Sequence, residues 1–318
     1  MMQRRQFLTG AAAVAITATR DLRAAAPPDR VPIIDTHIHL FDAGRPQGAP
    51  YKGSKQYQGG VALPSTYRAV AQPLGIVGAI EVEASPWIED NLWVLEVSEK
   101  DTIMVGTVGN LQPEKPEFAE YLERYHRNPL FRGIRYGNLW NYDLTAEVNN
   151  PAFIEGLKLL AQADLVLDTA NPQVSLLQAI VKVTDKVPDL RVVIDHLPSL
   201  DPTQEEQASY DAVLKEIAGR PGIFTKLSEI DHFVKGQLVS GLAAHRARLD
   251  RLMETFGEDR VMFGSDWPNS VGTASLEQIV ELTRDYFATK PHAAEKYFWK
   301  NSLHAYKWVR RNSSQPSG

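Results

Sequence analysis

Cysteine is absent from all 318 residues, which excludes disulfide frameworks, thiolate zinc sites, iron–sulfur clusters and thiol nucleophiles. Any metal in this protein must be held by histidine and carboxylate. Basic clusters are missing as well. The chain carries 34 Lys and Arg against 39 Asp and Glu, a net charge of −5, and has no basic stripe of the kind nucleic acid requires. No apolar run reaches the roughly eighteen residues of a membrane span. No glycine-rich phosphate loop opens a helix, which argues against a dinucleotide-binding fold. What the chain does have is apolar content: 43% of it is hydrophobic, over a length that can bury a large core.

The first thirty residues read as a segment separate from the fold. Arg4-Arg5 precede Phe7-Leu8 and a weakly apolar stretch to about Ala18. Ala24-Ala25-Ala26 then offers a small-residue cleavage site before Pro27-Pro28. This resembles a secretory signal of the twin-arginine type. The expectation is a periplasmic or otherwise exported protein with no stable membrane insertion once the signal is cleaved. Residues 1–30 are thus signal and linker, 31–311 the folded domain and 312–318 a disordered tail.

From residue 31 onward, short apolar runs alternate with longer amphipathic stretches. The runs predict strands at 32–40, 75–84, 102–111, 131–137, 164–169, 191–197, 222–230 and 260–267. Helices are predicted near 88–100, 115–127, 151–162, 173–186, 204–219, 245–256, 275–288 and 291–310. Near-continuous apolar strands suit a parallel sheet covered on both faces. Eight strand–helix pairs in this length predict a single-domain α/β fold, a (β/α)8 TIM barrel. The stretch 42–67 after the first strand is long, rich in Gly and Pro and without periodicity. It reads as a lid or pocket wall at the barrel mouth, or as plain disorder.

In such a barrel the functional groups sit at the C-terminal strand ends. The first strand, "PIIDTHIHLFD", carries His37 and His39 on one face, about 7 Å apart along the chain. Further strands end in Glu83, Arg135, Asp168 with Asn171, the pair Asp195 and His196 on opposite faces, Lys226 with Ser228, and Asp266 followed by Trp267. Each has a structural alternative. Arg135 and Asp168 also read as an ion pair at the mouth, Lys226 as a side chain reaching the rim, and Trp267, Trp87 and Trp140 as packing. Asp35 either orients a histidine from below or ties up amides. His126, His232, His245, His292 and His304 read as surface or packing residues. The joint pattern decides for function, because buried ionisable groups are costly without a task.

"DTHIH", "IDHLP", and "VMFGSDWP" followed by "WKNSLHAYKW" resemble the amidohydrolase superfamily. "FRGIRYGN" and "IFTKLSEI" narrow the resemblance to its branch of sugar-acid and pyrone-dicarboxylate lactonases, over about residues 31–310. That resemblance implies one zinc-type ion on His37, His39 and Asp266, with His196 a possible fourth ligand. Catalysis without metal stays open, since some of the branch works that way. The fifth strand, "ADLVLDTANP", lacks the superfamily's histidine and the fourth offers Arg135 in place of lysine, which argues against a binuclear centre.

The expected activity is hydrolysis of a cyclic ester, a sugar-acid or related carboxylated lactone. Asp266 would be general base, and His37, His39 and His196 would polarise the carbonyl. Arg135, Glu83, Asp168, Lys226, Asn171 and Trp267 would bind the substrate. The rival readings are a metal-dependent decarboxylase on the same barrel and a non-catalytic exported binding barrel. The expected partner is a small molecule; homo-oligomerisation stays open.

Overall fold

The computed structural model describes residues 31–55, 57 and 60–318. The expected signal segment lies outside the described residues. Eight parallel strands form one sheet in chain order: β1 (Ile33–Ile38), β2 (Ile76–Val82), β3 (Met104–Gly109), β4 (Phe131–Arg135), β5 (Val166–Thr169), β6 (Arg191–Ile194), β7 (Ile223–Lys226) and β8 (Val261–Met262). The sheet closes on itself between its first and last strands. Thr36 N–H donates to Phe263 O (3.1 Å), Asp266 N–H to His37 O (2.8 Å) and His39 N–H to Trp267 O (2.8 Å). This is the (β/α)8 barrel that the alternation of patterns predicts. Every residue of β1 is buried, as a strand covered on both sides requires. β4 and β5 approach so closely at Gly133 that a Cβ there would lie 2.5 Å from the Val166 carbonyl oxygen.

Eight helices alternate with the strands: α1 (Pro64–Ala71), α2 (Asp90–Glu99), α3 (Phe118–His126), α4 (Pro151–Gln162), α5 (Val174–Lys186), α6 (Gln207–Ala218), α7 (Leu242–Phe256) and α8 (Leu276–Phe287). Local chemistry starts several of them. Asn150 caps α4, with Pro151 in its first turn, and Ser275 with Gln278 forms a capping box on α8.

Two expectations need correction. The segment 42–67 is not structureless to its end: Phe41–Asp42 and Val61–Ala62 form a short antiparallel ribbon, and α1 begins at Pro64. Because α1 is the first helix of the barrel, the terminal helical stretch at 291–306 is an addition and not the eighth partner. The segment 312–318, expected to be a disordered tail, is held under the N-terminal end of the barrel. There Gln315 is buried and donates to Val77 O (3.0 Å) and Thr102 O (2.8 Å). A buried amide with two backbone acceptors fixes a chain that composition alone would leave free.

Candidate active site

The site forms where β1, β6 and β8 end. The His37 and His39 rings meet edge to face, their centroids 4.9 Å apart, and the His196 ring lies 4.4 Å from His37. His37 Nε2 and His39 Nε2 are 3.3 Å apart. Asp266 Oδ1 lies 3.1 Å from His39 Nε2, 3.5 Å from His37 Nε2 and 3.9 Å from His196 Nε2. Residues from opposite ends of the sequence thus share one point.

The far side of each ring is engaged. His39 Nδ1–H donates to the Val82 carbonyl (2.7 Å), which leaves Nε2 as an acceptor facing the site. His196 Nδ1 meets Ser228 Oγ (2.9 Å), and His37 Nδ1 faces Asp195 Oδ2 (3.5 Å) and Lys226 Nζ (3.3 Å). Burial lowers the affinity of His39 for a proton to a pKa of about 4, with Arg135 adding to the effect. Burial also holds His37 well below the usual histidine range, although Asp195 opposes it. Both rings are therefore neutral. Asp266 goes the other way: burial pushes it up to about 8, against the pull of His196 and with Glu229 adding to the rise.

The ligand atoms of His37, His196 and Asp266 all lie within 4.8 Å of one another. His39 joins them through its contacts to His37 and Asp266. A tetrahedral zinc ion with bonds of about 2.0–2.1 Å spaces its ligands roughly 3.3 Å apart, close to the separations seen here. Neutral histidines whose second nitrogen is held by a carbonyl, hydroxyl or carboxylate are how metal ligands are oriented. The residues present fit one such ion, with His196 a full member of the set.

Beneath these rings lies a charged layer closed to solvent. Lys226 Nζ donates to Asp168 Oδ2 (2.7 Å) and forms an ion pair with Asp195 Oδ1 (2.9 Å), and Tyr306 OH reaches Asp168 from below (2.8 Å). Burial lifts Asp168 to about 7 in spite of Lys226. Asp195 is held below the usual carboxylate range, because Lys226 and His37 outweigh its burial. Arg135 donates to Glu83 Oε1 (2.8 Å) and to the Glu83 carbonyl (2.6 Å). The ion pair of Arg135 with Asp168 read from the sequence is thus replaced by Arg135–Glu83 and Lys226–Asp168.

Above the rings opens a cavity of about 130 Å³, lined by His39, His196, Asp266, Arg135 and Asn171 among the expected residues. Asp168, Lys226 and Glu83 do not line it. They sit behind it, so their expected role as direct substrate contacts is corrected to support of His37 and Arg135. Trp267 is also outside. Its ring packs against Tyr57 and Tyr67, while Trp140, read as packing, lines the cavity and donates from Nε1 to Glu83 Oε2 (2.9 Å). Sequence reasoning missed Tyr51 and Glu229, on loops beyond the strands, and Asn269, which opens a short 3-10 turn. Tyr51 brings the 42–67 segment into the wall by donating to Asn269 Oδ1. The only advance sign of Glu229 was a charged residue inside the apolar block "IFTKLSEI".

Asp35 settles on one of its two readings. It accepts from the His37 and Ser265 amides (3.1 and 2.9 Å) and from Tyr67 OH (2.6 Å), tying β1 to the segment after β8.

Neutral imidazoles and a proton-holding carboxyl gathered at the mouth of a (β/α)8 barrel define a hydrolytic enzyme. The chain belongs to the amidohydrolase family, whose model, described as Amidohydrolase, matches residues 34–308. It is similar to an L-fucono-1,5-lactonase of Burkholderia multivorans, 27% identical over 277 residues, 83% of this chain and 91% of that protein. An L-fucono-1,5-lactonase of Burkholderia ambifaria is 24% identical over 299 residues, 89% and 98% of the two chains. Among solved structures, an amidohydrolase from Burkholderia multivorans with bound zinc superposes with a TM-score of 0.74 at 23% identity, covering 87% of this chain and 99% of that one. A putative 2-pyrone-4,6-dicarboxylic acid hydrolase from Pseudomonas putida gives 0.68 at 18% identity, covering 87% and 98%.

Proposed function

We propose that the protein hydrolyses a small lactone, with Asp266 as general base. The observation that carries this reading is the convergence of Asp266, His39 and His196 on one cavity, with His37 packed against all three behind its wall. Names of relatives at 24–27% identity support it. Asp266 takes a proton from the attacking water as the new C–O bond forms at the lactone carbonyl. It then returns that proton to the ring oxygen as the ester C–O bond breaks. A base with a pKa near working pH suits both halves of that cycle. His196 is the ring that can turn an N–H toward the site: with Nδ1 accepting from the Ser228 hydroxyl, its Nε2–H stabilises the oxyanion. Asp195 and Lys226 hold His37 in place, and Ser228 holds His196. A zinc ion held by His37, His39, His196 and Asp266 would polarise the carbonyl and acidify water there.

Export through a twin-arginine signal is part of the same proposal, resting on the Arg4-Arg5-Gln6-Phe7-Leu8 element and the alanines that follow it. Among the described residues no helix is long and apolar enough to cross a membrane. The test of the chemistry is a lactone panel followed by proton release. Asp266→Asn is expected to cut kcat/KM by about three orders of magnitude with the fold intact; near-normal turnover would remove Asp266 as the base.

A further inference from the structure

Besides Trp140 (φ 57°), four residues of the cavity wall hold left-handed backbone: Asn171 (φ 48°), His196 (φ 54°), Glu229 (φ 48°) and Asp266 (φ 58°). Each follows the end of a different strand, β5 to β8, and each lines the cavity. Such conformations are unfavourable for residues other than glycine and persist where surrounding structure imposes them, often at functional sites. For His196 and Asp266 the use is plain. Glu229 has none yet. Ser228 is locked to His196 by its hydroxyl, and the turn at the next residue places the Glu229 side chain in the cavity wall. Among the described residues its carboxylate makes no hydrogen bond or ion pair, so the strain at Glu229 serves no internal contact.

The charges around it sharpen the point. Among the described residues, Arg135 is the only lysine or arginine lining the cavity. Its guanidinium is already bound to the Glu83 carboxylate and carbonyl, with Asp195 3.8 Å away. Lys226 lies below, shared between Asp168 and Asp195. Among the described residues no uncompensated cation lines the cavity, whereas an unpaired carboxylate does. The rest of the wall beyond the catalytic groups includes the neutral donors and acceptors Tyr51, Asn171 and Asn269, with the Trp140 indole beside them.

We propose that Glu229 is a specificity-determining residue: its carboxylate accepts the hydroxyl hydrogens of an uncharged, polyhydroxylated lactone and repels lactones that carry a carboxylate. This rests on the lactonase reading and replaces the expectation of a carboxylated lactone bound by Arg135. A charged acceptor makes the stronger kind of hydrogen bond to a hydroxyl, and a site built around such a bond discriminates sharply against ligands that cannot make it.

Two measurements test it on the folded chain. The first is kcat and KM of wild type and Glu229→Gln on glucono-1,5-lactone, which is neutral, and on a glucaric acid monolactone, which is anionic. Wild type is expected to favour the neutral lactone by about a hundredfold. Glu229→Gln should raise KM for the neutral lactone about tenfold to hundredfold, the worth of a hydrogen bond to a charged group, with kcat changed little. It should also lift kcat/KM for the anionic lactone, and Glu229→Asp should recover part of the neutral preference. The second measurement is calorimetric binding of the neutral hexonolactam, which cannot be hydrolysed in this way.

An unchanged preference in Glu229→Gln, or an equal loss of kcat on both lactones, overturns the proposal while leaving the lactonase reading standing. Lactam binding that weakens in Glu229→Gln without turnover of any lactone leaves Glu229 as the selector and removes the lactonase reading. Failure of both lactones and the lactam to engage the wild type overturns both.

Discussion

The two ends of the barrel are built on opposite principles. At the N-terminal end, Arg311 donates to the carbonyls of Ser98, Glu99, Asp101 and Met104 at 2.6–3.1 Å, and Gln315 bridges Val77 in β2 to Thr102 before β3. Side-chain donors there are spent on backbone acceptors. At the C-terminal end, five cavity-lining residues hold left-handed backbone, Glu229 has no partner among the described residues, and Asp266 sits in a site that favours its protonated form. One end is satisfied and the other is kept unsatisfied, which is how this fold separates stability from chemistry.

The largest test of that contrast is Asp266→Asn. Beyond the loss of turnover described above, its melting temperature should stay level or rise, because a neutral amide replaces a carboxyl that burial disfavours as an anion. A fall in Tm would break the contrast. The mirror experiment is Arg311→Ala, expected to cost about 2–4 kcal/mol in urea unfolding as several buried carbonyls lose their donor, with kcat/KM per folded molecule unchanged. Zinc added to chelated protein at a hundred times its dissociation constant should stabilise the fold by about 2.7 kcal/mol. The same addition to a His37→Ala, His39→Ala double variant should leave the melting curve where it was.

The pH response should run in opposite directions for the two properties. Asp266 at about 8 and Asp168 at about 7 are raised above the usual carboxylate range by burial. The folded state therefore holds these protons more tightly than the unfolded chain does. That stabilisation is complete in acid below the unfolded pKa of roughly 3.9 and is lost as pH climbs toward 7–8. Asp195, shifted down, acts conversely and weakens the fold only in acid. Over pH 5–8.5 the melting temperature should fall while kcat/KM rises, and Asp266→Asn should flatten part of both curves. The smallest effect is at Tyr306→Phe, which removes one hydroxyl from Asp168 and should cost about 1 kcal/mol with little change in rate.

Much of this was legible in the sequence because burial on both faces writes a strand as an apolar run, and all eight runs became strands. His37, His39, His196 and Asp266 stood out as polar residues at the ends of such runs. α1 escaped because it is short, has no side-chain cap at Leu63 and follows a Gly/Pro-rich stretch. The partners of Arg135 and Lys226 escaped because strand order shows which residues neighbour each other, not which of several neighbours a long side chain selects. Glu229 and Tyr51 lie on loops, where no period constrains direction. Gln315 lies in a polar terminal stretch whose only order comes from carbonyls distant in sequence.

The seam held by Asp35 makes the catalytic set depend on the ring being shut. The histidine pair is translated near the start of the domain and its acid partner more than two hundred residues later (His39 and Asp266 are 227 positions apart). An incompletely synthesised barrel therefore has no partial competence: reactivity arrives together with the final strand, and a nascent chain is chemically silent until it has finished folding.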